Sequence, residues 1–422
     1  MTIDAETKYR LLEEISQKIR DTLNLDDILN HLLEMVHSIM EFDAAGIFVL
    51  NEEVLQPHRK QSGALIAGIA MRGFDLRPPN IDPMLSAGKG IVGYVIKSGE
   101  SVVSPDVRND SRYIIGRKGT LSEVAVPIVK NGRVVGALNL ESDKPAAYGE
   151  ANLEVLRFFA DAAAISIQKA VLHQQILAEK RIEEQLKVAH EVQSRLLPDK
   201  PPRVPGYDIA GTSISTYEIG GDYYDYLRLP DGKTGIVVAD VSGQGVPAAL
   251  IMTAFRALLR SQARLRYEPE HIVDALKRML PEFIGENHFV TSIYGVLDPA
   301  KGHFAYVNCG HIAPLLFHAG GGVEQLKTGG PVLSPGLGDS PYRADEIELA
   351  PGDLLLLYTD GVVEIEAENG EDFGEERLRA IMQRSLHLPG SEIVRALIRA
   401  TREFSGSDEY KDDFTLVIVR RK

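Results

Sequence analysis

Four short acidic motifs constrain what this chain can fold into more than anything else in it. They are Gly220-Gly221-Asp222, Asp240-Val241-Ser242-Gly243, Thr359-Asp360-Gly361 and Asp412-Asp413-Phe414-Thr415. Each sits beside an apolar run that reads as a strand: Ile236–Ala239 before Asp240, Leu354–Leu357 before Asp360 and Leu416–Val419 after Asp412. A sheet can bring such strand ends together from distant parts of the chain. Several carboxylates in one place repel one another and lose solvation unless a positive partner joins them. Divalent cations with oxygen ligands are that partner, so the spacing predicts a two-metal hydrolase site.

The local sequence supports the placement. Gly243 and Gly245 permit a tight loop after the Asp240 strand, and Pro247 stands near a helix start. The Val241 carbonyl is a further candidate ligand. Each Asp alone also reads as a turn residue; four of them, each joined to a strand, favour a cluster. Asn308-Cys309-Gly310-His311 places His311 after a strand, where we assign it a structural role. Ser242 has no base arrangement around it, which argues against a serine nucleophile. Gly220-Gly221-Asp222 begins like the signature of cyclic-dinucleotide cyclases, but Tyr223-Tyr224 follows where an acidic residue and Phe are required.

At 422 residues, the chain has room for roughly two or three domains. Its net charge of -14 argues against general binding to nucleic acid or an anionic membrane. A single cysteine, Cys309, excludes an internal disulfide framework and suits a reducing compartment. No apolar signal core opens the chain and no run reaches the ~18 residues of a membrane helix, so the expectation is a soluble cytoplasmic protein.

The chain is read as an N-terminal helix over 1–21, a regulatory α+β domain over 22–167, a helical linker over 168–200 and a catalytic domain over 207–422. The regulatory domain opens with a helix over Leu25–Met40, capped by Asn24. Strands follow over Ala44–Leu50, Leu65–Met71, Val124–Val129 and Val134–Leu140, with Asn131-Gly132 as a hairpin turn. A helix over Glu150–Gln168 closes it. Over Gln168–Leu197 the linker lacks Gly and Pro and carries a narrow stripe of Leu172, Ile176, Ile182, Leu186, Ala189, Val192 and Leu196. That stripe reads as a coiled-coil-like, dimerising helix, although the heptad spacing breaks between Ile176 and Ile182. Pro198, Pro201, Pro202 and Pro205 stop it.

In the catalytic domain, strands are expected over Tyr207–Thr212, Thr234–Asp240, Thr291–Asp298, His303–Asn308, Leu315–His318, Asp353–Thr359 and Phe414–Arg420. Helices are expected over Val246–Leu265, Glu270–Phe283, Gly374–Ser385 and Ser391–Phe404, which suggests a layered sandwich rather than a wound sheet.

The motifs in this order, from Glu218 to Thr415, resemble those of PPM-type serine/threonine phosphatases, and in particular the bacterial SpoIIE/RsbU branch. The resemblance covers about Tyr207–Arg420. It implies an αββα sandwich holding two Mn2+ or Mg2+ ions. Asp240 would bridge both metals. Asp360 and Asp412 would hold one, Asp222 and the Val241 carbonyl the other, with Asp413 a second candidate beside Asp412. The four acidic groups Asp222, Asp240, Asp360 and Asp412 are thereby the catalytic set. A metal-activated water would attack a phosphoserine or phosphothreonine in line. No Arg stands immediately before Glu218 to hold phosphate, as is usual in this branch. The implied substrate is a phosphorylated STAS-domain anti-sigma-factor antagonist, and Arg181–Pro198 is similar to the regulatory segment that precedes such domains. A non-catalytic phosphatase-like scaffold and a small-molecule phosphatase are the rival readings.

The first domain resembles a GAF domain through Gly88–Val95, Ser104–Val107 and Val134–Leu140. It has no cysteine for a bilin and no Asn-Lys-Phe-Asp-Glu motif. A small-molecule ligand and a purely dimerising role both stay open.

Overall fold

The computed structural model describes residues 24–50, 66–74, 88–285, 287–336 and 341–422, together with residue 13. The helix expected over 1–21, residue 13 apart, and the strand start expected at Leu65 lie outside the described residues. The chain divides into two compact units, Met1–Arg181 and Ile182–Lys422. Among the described residues no helix is long and apolar enough to cross a membrane.

In the first unit, α1 (Leu25–Ile39) starts where Asn24 Oδ1 accepts the N–H groups of Asp26 (2.9 Å) and Asp27 (3.3 Å). It stands beside a five-stranded antiparallel sheet in the order β2-β1-β5-β4-β3. The strands are β1 (Ala44–Leu50), β2 (Ile66–Arg72), β3 (Val102–Ser104), β4 (Ser122–Lys130) and β5 (Arg133–Ser142), with α2 (Gly90–Ser98) between β2 and β3. Asn131 and Gly132 both adopt positive φ, 49° and 79°, the turn that matches strand twist in a two-residue hairpin. Alternation then sorts the side chains. Val124, Val126, Leu138 and Leu140 face α1 and the helix that follows β5; Ala125, Ala137 and Phe48 face α2.

The expected closing helix and linker are one element, α3 (Glu150–Ser194), of 45 residues. With neither Gly nor Pro inside it, nothing interrupts the hydrogen-bond ladder. Its stripe residues Leu172, Ile176, Ile182 and Val192 are exposed.

The second unit is a four-layer sandwich. One sheet runs β13-β10-β9-β8-β7, with β14 also on β10; the other runs β12-β11-β15-β16-β6. The first sheet comprises β7 (Tyr223–Arg228), β8 (Thr234–Val241), β9 (Val290–Asp298), β10 (His303–Cys309), β13 (Gly329–Gly330) and β14 (Asp345–Glu348). The second comprises β6 (Tyr207–Ile214), β11 (Leu315–Phe317), β12 (Val323–Gln325), β15 (Leu354–Tyr358) and β16 (Phe414–Arg421). Alternate residues again build separate layers. Ile236, Val238, Leu355, Leu357, Val417 and Val419 fill the space between the sheets. Val237, Ala239 and Val241 pack on α4 (Gly245–Ala263) and α5 (Pro269–Met279). Leu354, Leu356, Leu416 and Ile418 pack on α6 (Gly374–Ser385) and α7 (Gly390–Ser405). This is the expected αββα arrangement. The strands not anticipated are β7, β12, β13 and β14.

Candidate active site

The sandwich brings the four motifs to one end. Asp222 immediately precedes β7, Asp240 is the penultimate residue of β8, Asp360 follows β15 and Asp412 precedes β16. Their carboxyls feel one another. Asp222, 5% exposed, is raised well above the ordinary carboxylate range by burial, then by the charges of Asp240 and Asp413. Asp240 is pushed up to about 7 by burial, then by Asp360, Asp412, Asp413 and Glu364. Asp412 is raised by burial and by Asp360 and Asp413, and Glu364 by burial, Asp360 and Asp412. Asp240 is therefore felt by Asp222 and itself feels Asp360 and Asp412.

Among the described residues no three His, Cys, Asp or Glu side chains already close into a cation cage. The donor chemistry nevertheless fits hard divalent cations: the groups gathered here are carboxylates and a backbone carbonyl, and their mutual repulsion is what a cation would relieve.

Glycines let these groups approach. A Cβ on Gly221 would lie 2.9 Å from the Val241 carbonyl oxygen, one on Gly220 2.2 Å from Asp413 Oδ2, and one on Gly361 2.1 Å from the Asp413 carbonyl oxygen. Any side chain at these positions would push the loops apart.

Asp412 and Asp413, the first and second candidates on sequence, have different surroundings. Asp413 Oδ1 accepts the Thr216 N–H (2.9 Å), and its Oδ2 accepts those of Gly221 (2.8 Å) and Asp222 (3.3 Å). Its carboxylate clamps the Gly220-Gly221-Asp222 loop to the start of β16. The Asp412 carboxylate caps only its neighbour, Oδ1 accepting the Asp413 N–H (2.8 Å).

Thr359 belongs to the site although its sequence signal was only its place in the Thr-Asp-Gly motif. Its buried hydroxyl donates to Asp222 Oδ2 (2.8 Å) and accepts the Thr415 N–H (3.2 Å), joining three motifs. His311, expected to be structural, is buried and engaged at both ring nitrogens. Its Nε2 lies 3.0 Å from the Tyr358 carbonyl and its Nδ1 2.8 Å from Thr291 Oγ1, and burial lowers it to about 4, so it is neutral. Ser242 Oγ accepts the Phe289 N–H (2.8 Å). Cys309 is buried, and burial pushes its thiol up to about 12.

Two further contacts had no sequence signal of their own. Gln193, in the last turn of α3, donates from Nε2 to the Gly220 carbonyl (2.8 Å) and accepts the Gly220 N–H at Oε1 (3.1 Å). His190 Nδ1 reaches the Glu218 carbonyl. Beneath the motif, Arg260 on α4 holds the buried Asp225 carboxylate at both oxygens (2.6 and 2.8 Å), and Tyr223 donates to it (2.5 Å). Beside the site, a concavity of about 380 Å³ is lined by Gly361, Glu364, Glu366, Lys411 and Asp412. With five acidic residues and one Lys on its walls, it favours an anionic phosphate only once cations are present.

Comparison with known proteins agrees with this geometry. Residues 230–422 match the family described as stage II sporulation protein E (SpoIIE), and residues 22–168 match the GAF domain. The chain is 28% identical over 246 residues to phosphoserine phosphatase RsbU of Bacillus subtilis (strain 168), covering 58% of this chain and 72% of that protein. It is 30% identical over 154 residues to phosphoserine phosphatase RsbP of the same organism, covering 35% of this chain and 37% of that one. Among solved structures, the SiaA-PP2C domain of Pseudomonas aeruginosa superposes with a TM-score of 0.51 at 25% identity, over 58% of this chain and 98% of that domain.

Proposed function

This chain carries a PP2C-type phosphatase domain of the SpoIIE family behind a GAF domain, and on that premise we propose that it dephosphorylates a phosphoserine or phosphothreonine protein. The substrate we propose is a STAS-domain anti-sigma-factor antagonist, which places the enzyme in sigma-factor signalling. The observation that carries the reading is the convergence of Asp222, Asp240, Asp360 and Asp412, with the Val241 carbonyl, at one end of the sandwich.

In this reading Asp240 would serve both of two divalent cations, Mn2+ or Mg2+. Asp222 and the Val241 carbonyl would serve one, and Asp360 and Asp412 the other. When bound, such ions neutralise phosphate charge and acidify a water. The protein's own part is positioning. Thr359 orients Asp222, Asp413 fixes the loop that carries it, and His311 ties β10 to the end of β15. The nearby Ser242, Cys309 and His311 are each engaged or buried, which supports attack by water rather than by a side chain.

Regulation is proposed to pass through α3. Its exposed Leu172, Ile176, Ile182 and Val192 support pairing with a second copy of the chain. Its last turn holds Gly220, two residues from Asp222, so a shift of the helix would be felt at the candidate ligand. Unequal activity of residues 207–422 and the full chain at limiting metal is the expected sign.

The test is a substrate panel: a phosphorylated STAS-domain protein, unrelated phosphopeptides, and sugar and nucleotide phosphates, each with Mn2+ or chelator. Metal-dependent release from the STAS protein supports the proposal. Turnover of small phosphates alone would replace it with a small-molecule phosphatase, and no turnover at all with a scaffold.

A further inference from the structure

The surface that frames the candidate site is chemically lopsided. Outside α3, six large apolar side chains of the second unit are exposed among the described residues: Tyr217, Val246, Leu250, Leu265, Phe283 and Phe289. Four of them adjoin the site. Tyr217 stands just before Glu218 and the loop of Asp222, and that loop touches the first turn of α4: a Cβ on Gly221 would lie 3.2 Å from the Ala248 Cβ. Val246 and Leu250 stand one turn apart on either side of Ala248. Phe289 is bound to the loop after Asp240, its N–H donating to Ser242 Oγ (2.8 Å) and its carbonyl accepting the Ser242 N–H (3.0 Å). Phe283 ends the short turn over Leu280–Glu282 that packs on α4. Of the six, Leu265 alone lies away, beyond the far end of that helix.

α4 continues this face. Its exposed residues are Val246, Pro247, Leu250, Thr253, Ala257 and Ser261, one side of the helix without a single charge. Its two arginines, Arg256 and Arg260, are partly buried and committed, to the Leu196 carbonyl and to Asp225. On the opposite layer α7 exposes Glu392, Arg395, Arg399 and Glu403, the pattern of a helix that faces water. From residue 290 to 422 no large apolar side chain is exposed among the described residues. The other flank of the site, around the concavity beside Asp412, carries Glu364, Glu366, Glu368 and Glu409. An anionic phosphoprotein is repelled on that flank and meets no like charge along α4.

We infer that the α4 face, with Tyr217 and Phe289 at its site end, seats a folded phosphoprotein whose phosphorylated residue is bordered by exposed apolar side chains. The inference rests on the phosphoprotein reading above and adds how that substrate is held. The occupant follows from where the face lies. It begins at the loop of Asp240 and Val241, so a body resting on it also covers the candidate metal ligands. A second copy of the chain there would shut the substrate out, whereas the substrate has to lie over those ligands to react. A sugar or nucleotide phosphate is too short to use the stripe, because Val246 to Ala257 spans about 16 Å of helix. An uncharged centre with aromatic side chains beside it is the composition of a protein–protein interface core.

The test gives the full chain three substrates with Mn2+: a phosphorylated STAS-domain protein, a short phosphopeptide copied from its phosphorylated segment, and a generic phosphomonoester. Leu250→Ser removes an anchor and Ala257→Glu puts a charge into the face; both positions are exposed, so the fold should be kept. Each should raise KM for the phosphoprotein roughly tenfold with kcat held, and move both small substrates by less than about twofold, which marks lost binding rather than damaged chemistry. Leu265→Ser, 76% exposed beyond the other end of α4, should match the parent throughout. On the unaltered chain, KM for the phosphoprotein should lie at least about tenfold below that for its own phosphopeptide. Equal KM values there, or an unchanged phosphoprotein KM in both variants, would overturn the inference and leave the phosphoprotein reading in place. An equal loss on all three substrates, with a dimer lost in sedimentation, would overturn it by giving the face to a second copy. Hydrolysis of the generic phosphomonoester alone by the parent would instead remove the reading beneath it.

Discussion

Replacing Asp240 with Asn removes a charge that the metal-free fold tolerates poorly and that bound cations need. In the native chain burial, then Asp360, Asp412, Asp413 and Glu364, raises this carboxyl from 3.8 to about 7. A group whose native pKa lies above its unfolded value holds its proton more tightly in the native state. Its contribution to stability is therefore present at low pH and is lost as pH rises from about 4 through about 7. A displacement of roughly three pH units at 1.36 kcal/mol each is on the order of 4 kcal/mol. Asn is neutral and nearly the same shape, so Asp240→Asn should escape that loss. In chelator at pH 8, the variant should be more stable than the parent by a few kcal/mol, and the gap should close towards pH 4. The chain has no Trp, so urea unfolding is best followed by far-ultraviolet circular dichroism. A variant no more stable than the parent at pH 8, or a gap that does not change with pH, would refute the electrostatic account. Adding Mn2+ should reverse the order, stabilising the parent and leaving the variant almost unmoved.

Three other substitutions probe the supports of the site. Asp413→Ala strips the acceptor from three backbone N–H groups and should cost about 3 kcal/mol in urea unfolding, with weakened metal binding. Gly361→Ala puts a Cβ against the Asp413 carbonyl and should cost about 1–3 kcal/mol of overpacking, read as a lower midpoint and lost turnover. Arg260→Met leaves the buried Asp225 carboxylate without its cation and should cost about 3 kcal/mol, while metal affinity, measured calorimetrically, stays close to that of the parent.

Much of the sandwich was legible because strand alternation is strong. Val237 and Ala239 against Ile236 and Val238 state two faces outright, and each face found a different layer. β7 was missed because Tyr223, Asp225 and Tyr226 interrupt the apolar signal with groups satisfied only by tertiary partners such as Arg260. β14 is a short, charged edge strand and β13 only two residues long, so neither carries a pattern. The closing helix and the helical linker, read as separate elements, are one helix, since composition changes near Gln168 without any residue that ends a helix. The acids of the site were legible because each stands beside a glycine or a strand end. The difference between Asp412 and Asp413 was not, because it depends on N–H groups roughly two hundred positions earlier in the chain. Glu123 and Glu141 fell just outside the expected strands Val124–Val129 and Val134–Leu140; neighbouring strands bury both.

Metal stoichiometry coupled to turnover tests the central claim most directly. Purified full-length protein, stripped with chelator, would be titrated with Mn2+ by calorimetry while hydrolysis of a generic phosphomonoester is followed in parallel. The account predicts about two ions per chain in the parent, activity that rises with their binding, and loss of both in Asp240→Asn with the circular dichroism spectrum unchanged. Undiminished turnover in chelator, or full metal binding and activity in Asp240→Asn, would contradict it.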